Sequence, residues 1–161
     1  MSKKVILLRH APAMDRAEFS KKFKKDDFHR PLTNEGVESF EGLLERINAQ
    51  KKYRKKLKEY KIFCSPFIRT QQTADLINKK FKMKSKTVEV LSHGTSPEKL
   101  LEFIQKTKKK HILLVGHEPE LSAVEALSKK KPAKTFKKGE MRGYKLSNKK
   151  LKKKWKMLPH S

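Results

Sequence analysis

Four apolar runs divide the chain at wide intervals: "KVILLRH" near the start, then "KIFCSP", "TVEVLS" and "HILLVGH". A continuous run of this kind suits a strand covered on both faces, and the spacing leaves room for helices between them. That rhythm predicts an α/β sheet. Between the runs the period changes to that of a helix. Val37, Phe40, Leu43, Leu44 and Ile47 recur at helical spacing after a start signal at Thr33 and Asn34. Ser96 and Pro97 read as an N-cap and first helical residue ahead of Leu100, Leu101 and Ile104. A further helix is predicted from Phe67 to Phe81, carrying Ile68, Leu76 and Ile77, and another from Pro119 to Leu127.

The C-terminal part breaks this alternation. "EMRGYKL" and "LKKKWKML" flank "SNKK", which predicts a β-hairpin with Leu151, Trp155 and Met157 on one face and Lys152, Lys154 and Lys156 on the other. Lysines so placed also blunt a sheet edge. The polar segment from Met14 to Arg30 has no period and reads as a long loop after the first strand.

Composition narrows the class. With 161 residues and no linker rich in Gly, Pro or Ser, residues 1–161 read as one domain with a real core. The lone Cys64 excludes an intramolecular disulfide, and the apolar core of "MSKKVILLRH" is too short for a signal peptide or a membrane span. A cytoplasmic location, away from membranes, is the expectation. The net charge of +25 suits nucleic acid, an acidic protein surface or a phosphorylated substrate alike. Only seven of the 42 basic residues are arginine, and base readout leans on arginine, which speaks against nucleic acid.

Two of the apolar runs end on a histidine: Arg9-His10 after the first, Gly116-His117 after the last. In open α/β sheets the binding crevice lies beyond the carboxyl ends of the strands, so residues that follow separate strands can converge there. "CSPFIRTQQTA" adds a third strand end, with Ser65 and Pro66 followed by Arg69 in the first turn of a helix. A guanidinium fork matches phosphate oxygens, and a helix N-terminus adds free amides and a positive dipole. Two histidines and two arginines therefore suggest a phosphate pocket. Asp26, Asp27 and Cys64 do not form a ligand set at metal-binding spacing, so no metal or other cofactor is expected.

"LLRHAPA", "RPLTNEG", "CSPFIRTQQTA" and "VGHEPEL", in this order, resemble the histidine phosphatase superfamily, which is phosphoglycerate mutase-like. The short length and "RPLT" are similar to its SixA-type phosphohistidine phosphatase branch, and "FKKGEMRGYKL" resembles that branch's late strand. The resemblance spans nearly the whole chain and implies a three-layer α/β/α sandwich with a mostly parallel central sheet. It implies that His10 is the nucleophile that takes the phosphoryl group, and that Arg9, Arg69 and His117 hold its oxygens, joined by Arg30. A neutral imidazole is a competent nucleophile, and phosphoryl transfer rests mostly on positioning and electrostatic stabilisation.

Many members of the wider superfamily place a carboxylate after the third strand to protonate an alkoxide. Here the loop reads "LSHGTSPEKL". The candidate proton donors are His93, Glu118 and, last, Glu98. An imidazole leaves more easily than an alkoxide, so phosphohistidine on a protein is the expected substrate, for example on a phosphohistidine-bearing signalling domain. The lysines of the segment from Met14 to Arg30 would steer an acidic substrate protein. Two alternatives stay open: a phosphatase for small phosphomonoesters or nucleotides, and a non-catalytic basic module that binds anions or nucleic acid.

Overall fold

The runs ending in His10 and His117 lie side by side at the centre of a six-stranded sheet in the computed structural model, which describes residues 2–159. In chain order the elements are β1 (Lys3–Arg9), α1 (Arg16–Phe23), α2 (Asn34–Asn48), α3 (Lys51–Leu57), β2 (Lys61–Cys64) and α4 (Ile68–Phe81). They continue with β3 (Ser85–Thr87), α5 (Pro97–Lys106), β4 (His111–Gly116), α6 (Glu120–Lys129), β5 (Met141–Ser147) and β6 (Lys150–Met157). The sheet order is β3-β2-β4-β1-β5-β6. The first four strands in that order run parallel, and β5 and β6 are antiparallel additions.

Alternate side chains of the sheet enter two separate cores. Ile6, Leu8, Ile62, Leu113 and Val115 pack beneath α2 and α4 through Phe40, Leu44, Ile77 and Phe81. Val5, Leu7, Phe63, Ile112 and Leu114 pack beneath α5 and α6 through Leu100, Ile104, Leu121 and Val124. The architecture is thus the three-layer α/β/α sandwich with a mostly parallel sheet and a C-terminal hairpin. Among the described residues, no helix is long and apolar enough to cross a membrane.

Local chemistry accounts for the helix starts. The Thr33 hydroxyl accepts from Gly36 N at 2.9 Å, and Ser96 Oγ accepts from Lys99 N at 3.3 Å, with Pro97 at the start of α5. Gly36 is required by proximity: a Cβ there would lie 2.0 Å from the Pro12 carbonyl oxygen, so α2 docks directly on the loop that follows β1.

Three expectations need correction, and one helix is added to them. "TVEVLS" is not a strand. The third strand is Ser85–Thr87, and Glu89–Leu91 form a 3-10 turn that buries Leu91 in the α5–α6 core and packs half-buried Val88 and Val90 against it, without strand pairing. The segment from Met14 to Arg30 is not a plain loop. Asp15 caps α1 by accepting from Glu18 N, Phe19 is buried, and a second 3-10 turn covers Asp27–His29. With so few apolar residues to recur, α1 leaves little periodic trace. The short, lysine-rich α3 was likewise not foreseen. In the hairpin, Gly143 pairs with Trp155 but Tyr144 pairs with Lys153, leaving Lys154 as an extra residue in β6. This bulge reverses the alternation: Leu151 faces the α5–α6 core, whereas Trp155 and Met157 face the α2–α4 side.

Candidate active site

Because β1 and β4 pair in parallel with Arg9 opposite Gly116, their ends release His10 and His117 together. His10 N donates to the Gly116 carbonyl at 3.1 Å, and the two imidazole centroids are 5.5 Å apart. Both rings are buried. His10 Nδ1 lies 2.7 Å from the Ala11 carbonyl oxygen. A carbonyl only accepts, so Nδ1 carries the proton and the Nε2 lone pair is free. Burial pushes the His10 pKa down to about 3; the Ala11 carbonyl opposes this, and the charges of Arg69, Arg9 and Arg30 add to it. The ring is a neutral base at neutral pH.

His117 is set by Ser65 at the end of β2. Ser65 Oγ accepts from Phe67 N at 3.1 Å and lies 2.8 Å from His117 Nε2, toward which a hydroxyl can either donate or accept. His117 Nδ1 is buried and has no hydrogen-bond partner among the described residues. Burial first, then Arg69, His10 and His93, push the His117 pKa down to about 2.

The guanidinium groups surround these rings. Arg69, in the first turn of α4, is 1 % exposed. Its Nη1 donates to the Asp27 carbonyl and its Nη2 to Asp27 Oδ2, both at 2.9 Å. Arg30 donates through Nε to Asp27 Oδ1 at 2.7 Å and through Nη1 to the Met14 carbonyl at 2.7 Å. Arg16 reaches the same carboxylate at 3.4 Å. Burial alone would raise the Asp27 pKa, but the Arg30 hydrogen bond and the charges of Arg69, Arg30 and Arg16 hold it below the ordinary carboxylate value. Arg9 donates through Nη1 to the Phe136 carbonyl at 2.7 Å, and burial lowers its pKa.

Four buried side-chain polar atoms have no hydrogen-bond partner among the described residues, and three of them stand in this cluster: two guanidinium donors, Arg9 Nε and Arg69 Nε, and one ring nitrogen, His117 Nδ1. Buried donors are costly to leave unpaired, so a group of them marks a place for an acceptor. The arrangement can receive an anion beside a free imidazole lone pair.

The two leading proton-donor candidates differ in surroundings. His93 lies 5.6 Å from His117 between ring centroids, and its Nδ1 is 2.7 Å from Glu120 Oε1. Glu118 is engaged with the start of α6, accepting from Ser122 N at 2.9 Å and from Ser122 Oγ at 2.6 Å. Glu98 is exposed on α5. Sequence reasoning missed the parts played by Asp27 and Glu120. Asp27 stands three residues before Arg30, a spacing that permits the ion pair but does not announce it.

No family model matches the sequence, and no curated protein does. Solved structures do. The protein histidine phosphatase SixA complexed with tungstate superposes with a TM-score of 0.79 at 18% identity, over 97% of each chain. A protein from Agrobacterium tumefaciens, provisionally named phosphohistidine phosphatase SixA, gives 0.76 at 21% identity over 98% of each chain. Phosphoserine phosphatase from Entamoeba histolytica, in complex with 3-phosphoglyceric acid, gives 0.68 at 13% identity over 97% of each chain. The fold is the one these phosphatases share.

Proposed function

We propose that the chain is a phosphatase of the histidine phosphatase superfamily that hydrolyses phosphohistidine on a protein through a covalent intermediate on His10. The observation that carries this reading is a neutral His10 with its Nε2 free, beside unpartnered guanidinium donors on Arg9 and Arg69 and an unpartnered ring nitrogen on His117. In the first step the Nε2 lone pair attacks phosphorus, and the substrate's P–N bond breaks. Arg9, Arg69, Arg30 and His117 take up the charge on the phosphoryl oxygens, and the departing imidazole gains a proton. Water then attacks the phosphorus on His10, the P–Nε2 bond breaks, and inorganic phosphate leaves. His93, held by Glu120, is the proton source favoured over Glu118, whose two oxygens are already engaged by Ser122.

Turnover of a phosphohistidine protein against a phosphoserine peptide tests the substrate class. The expected result is a preference for phosphohistidine, and His10→Ala abolishes both activities and the acid-labile phosphoenzyme. Preference for the peptide would replace this reading with a phosphomonoesterase, which the His93–Glu120 pair also equips. Activity undiminished in His10→Ala would remove His10 as nucleophile. No activity in the unmodified chain, with retained anion affinity, would leave a binding module.

A further inference from the structure

On the α2–α4 face, remote from His10, the sheet is left partly uncovered where β5 and β6 extend beyond α2. The gap is a groove of about 450 Å³. Its floor is apolar, formed by Ile6, Ile47, Leu57 and Met141, and its wall carries Tyr53, Tyr60 and Trp155. Tyr53 and Trp155 are 39% and 38% exposed, two of the few large apolar side chains that face solvent. The bulge at Lys154 turns Trp155 to this side, and the indole lies on Gly143, where a Cβ would come within 2.1 Å of Cε2. Bulges re-aim side chains, and this one brings an aromatic plane to an open groove.

The charge around the groove has one sign. Lys4, Lys56, Lys145 and Lys154 line it and no carboxylate does. Among the described residues, none of these four ammonium groups is in a salt bridge. One wall is β6, the last strand of the sheet, whose outer edge offers main-chain donors and acceptors to an extended chain.

From these features we infer that the groove docks an acidic, extended segment of a partner protein that carries aromatic or aliphatic anchors. The anchors enter the apolar floor beside Trp155 and Tyr53, the acidic side chains meet the lysines, and the backbone lies along β6. An apolar centre within a charged rim is the usual division of labour in such interfaces. A free edge lined with lysine repels a second copy of this basic chain while accepting an acidic one. The inference does not depend on the chemistry at His10.

Trp155 is the chain's single tryptophan, so its emission reports the groove directly. The intact chain is titrated with a short synthetic peptide of glutamates interrupted by two phenylalanines. A saturable change in indole emission is expected. It should be absent with the same peptide bearing lysine for glutamate or glycine for phenylalanine. Lys4→Glu with Lys145→Glu should weaken binding at least about fivefold while retaining the reporter and the circular dichroism of the fold. These two residues lie outside the His10 cluster, so turnover of a small phosphate substrate should not change. No saturable response to the acidic peptide, or an equal response to all three peptides, overturns the proposal. A response confined to anionic vesicles or to a free fatty acid assigns the groove to lipid and overturns it as well.

Discussion

Asp27 takes two hydrogen bonds from Arg69, one on its carboxylate and one on its main-chain oxygen, each of 2.9 Å, and so fixes a guanidinium that is 1 % exposed. The same carboxylate holds Arg30, and these contacts leave Arg69 Nε without a partner. One acidic side chain thereby orients two arginines without neutralising the cluster.

Asp27→Asn keeps the main-chain contact and removes the charge. The expected outcome is a loss of about ten- to a hundredfold in kcat/KM, because a misplaced clamp aligns the phosphoryl group poorly. Steady-state kinetics with a phosphohistidine protein checks this. Unchanged kinetics would reduce Asp27 to a scaffold residue.

Acid should destabilise the fold earlier than its carboxylates require. His10 and His117 have folded pKa values depressed to about 3 and about 2 from 6.5. The unfolded chain therefore takes up protons below pH 6.5 that the folded chain refuses. Stability is complete above that pH and falls as pH drops from 6.5 toward 3, by up to about 1.4 kcal/mol per pH unit for each histidine. Urea midpoints measured across this window report the slope, and His117→Asn should roughly halve it.

A second set of buried charges concerns stability alone. Glu125 accepts from Arg142 Nη1 at 3.0 Å and from Tyr144 and Lys129, while Arg142 Nε donates to Glu140 at 2.6 Å. Glu125→Ala would leave Arg142 with Glu140 as its one remaining carboxylate and the buried Tyr144 hydroxyl without its acceptor, at a cost of about 3 kcal/mol. The denaturation midpoint should fall, and the KM of the remaining folded enzyme should stay constant. The Tyr144 and Arg142 hydrogen bonds outweigh burial and hold the Glu125 pKa below 4.5, so its own contribution is lost only as pH falls beneath that value.

If His93 delivers the proton, the kind of leaving group decides how much it matters. Glu120→Gln and His93→Gln should both lower turnover of a phosphoserine peptide by about tenfold or more, with a smaller loss on phosphohistidine, whose imidazole leaves readily. Equal losses on the two substrates would make the pair structural.

The sheet was legible in the sequence because β1 and β4 are covered on both faces and therefore uniformly apolar. The same residues pointed to the candidate site, since a parallel sheet delivers the ends of neighbouring strands to one place. Hidden features arose where a single contact outweighs pattern. α1 rests on an Asp15 cap and a buried Phe19, too little for a period. The hairpin faces were misjudged because one extra residue, Lys154, inverts an alternation in which Lys153 is the one break that the sequence displays. Asp27 and Glu120 escaped notice because their partners are distant in the chain or ordinary in spacing.

Within little more than one turn of α4, Arg69 ties Asp27, Gln72 Oε1 accepts from Leu32 N at 2.8 Å, and Thr73 Oγ1 accepts from Ala11 N at 3.0 Å. A single helical segment thus serves as a jig for two loops, the one that follows β1 and the one that joins α1 to α2. A displacement of that segment would carry the loop after His10, the Arg69 guanidinium and the Asp27 carboxylate together, preserving their mutual alignment.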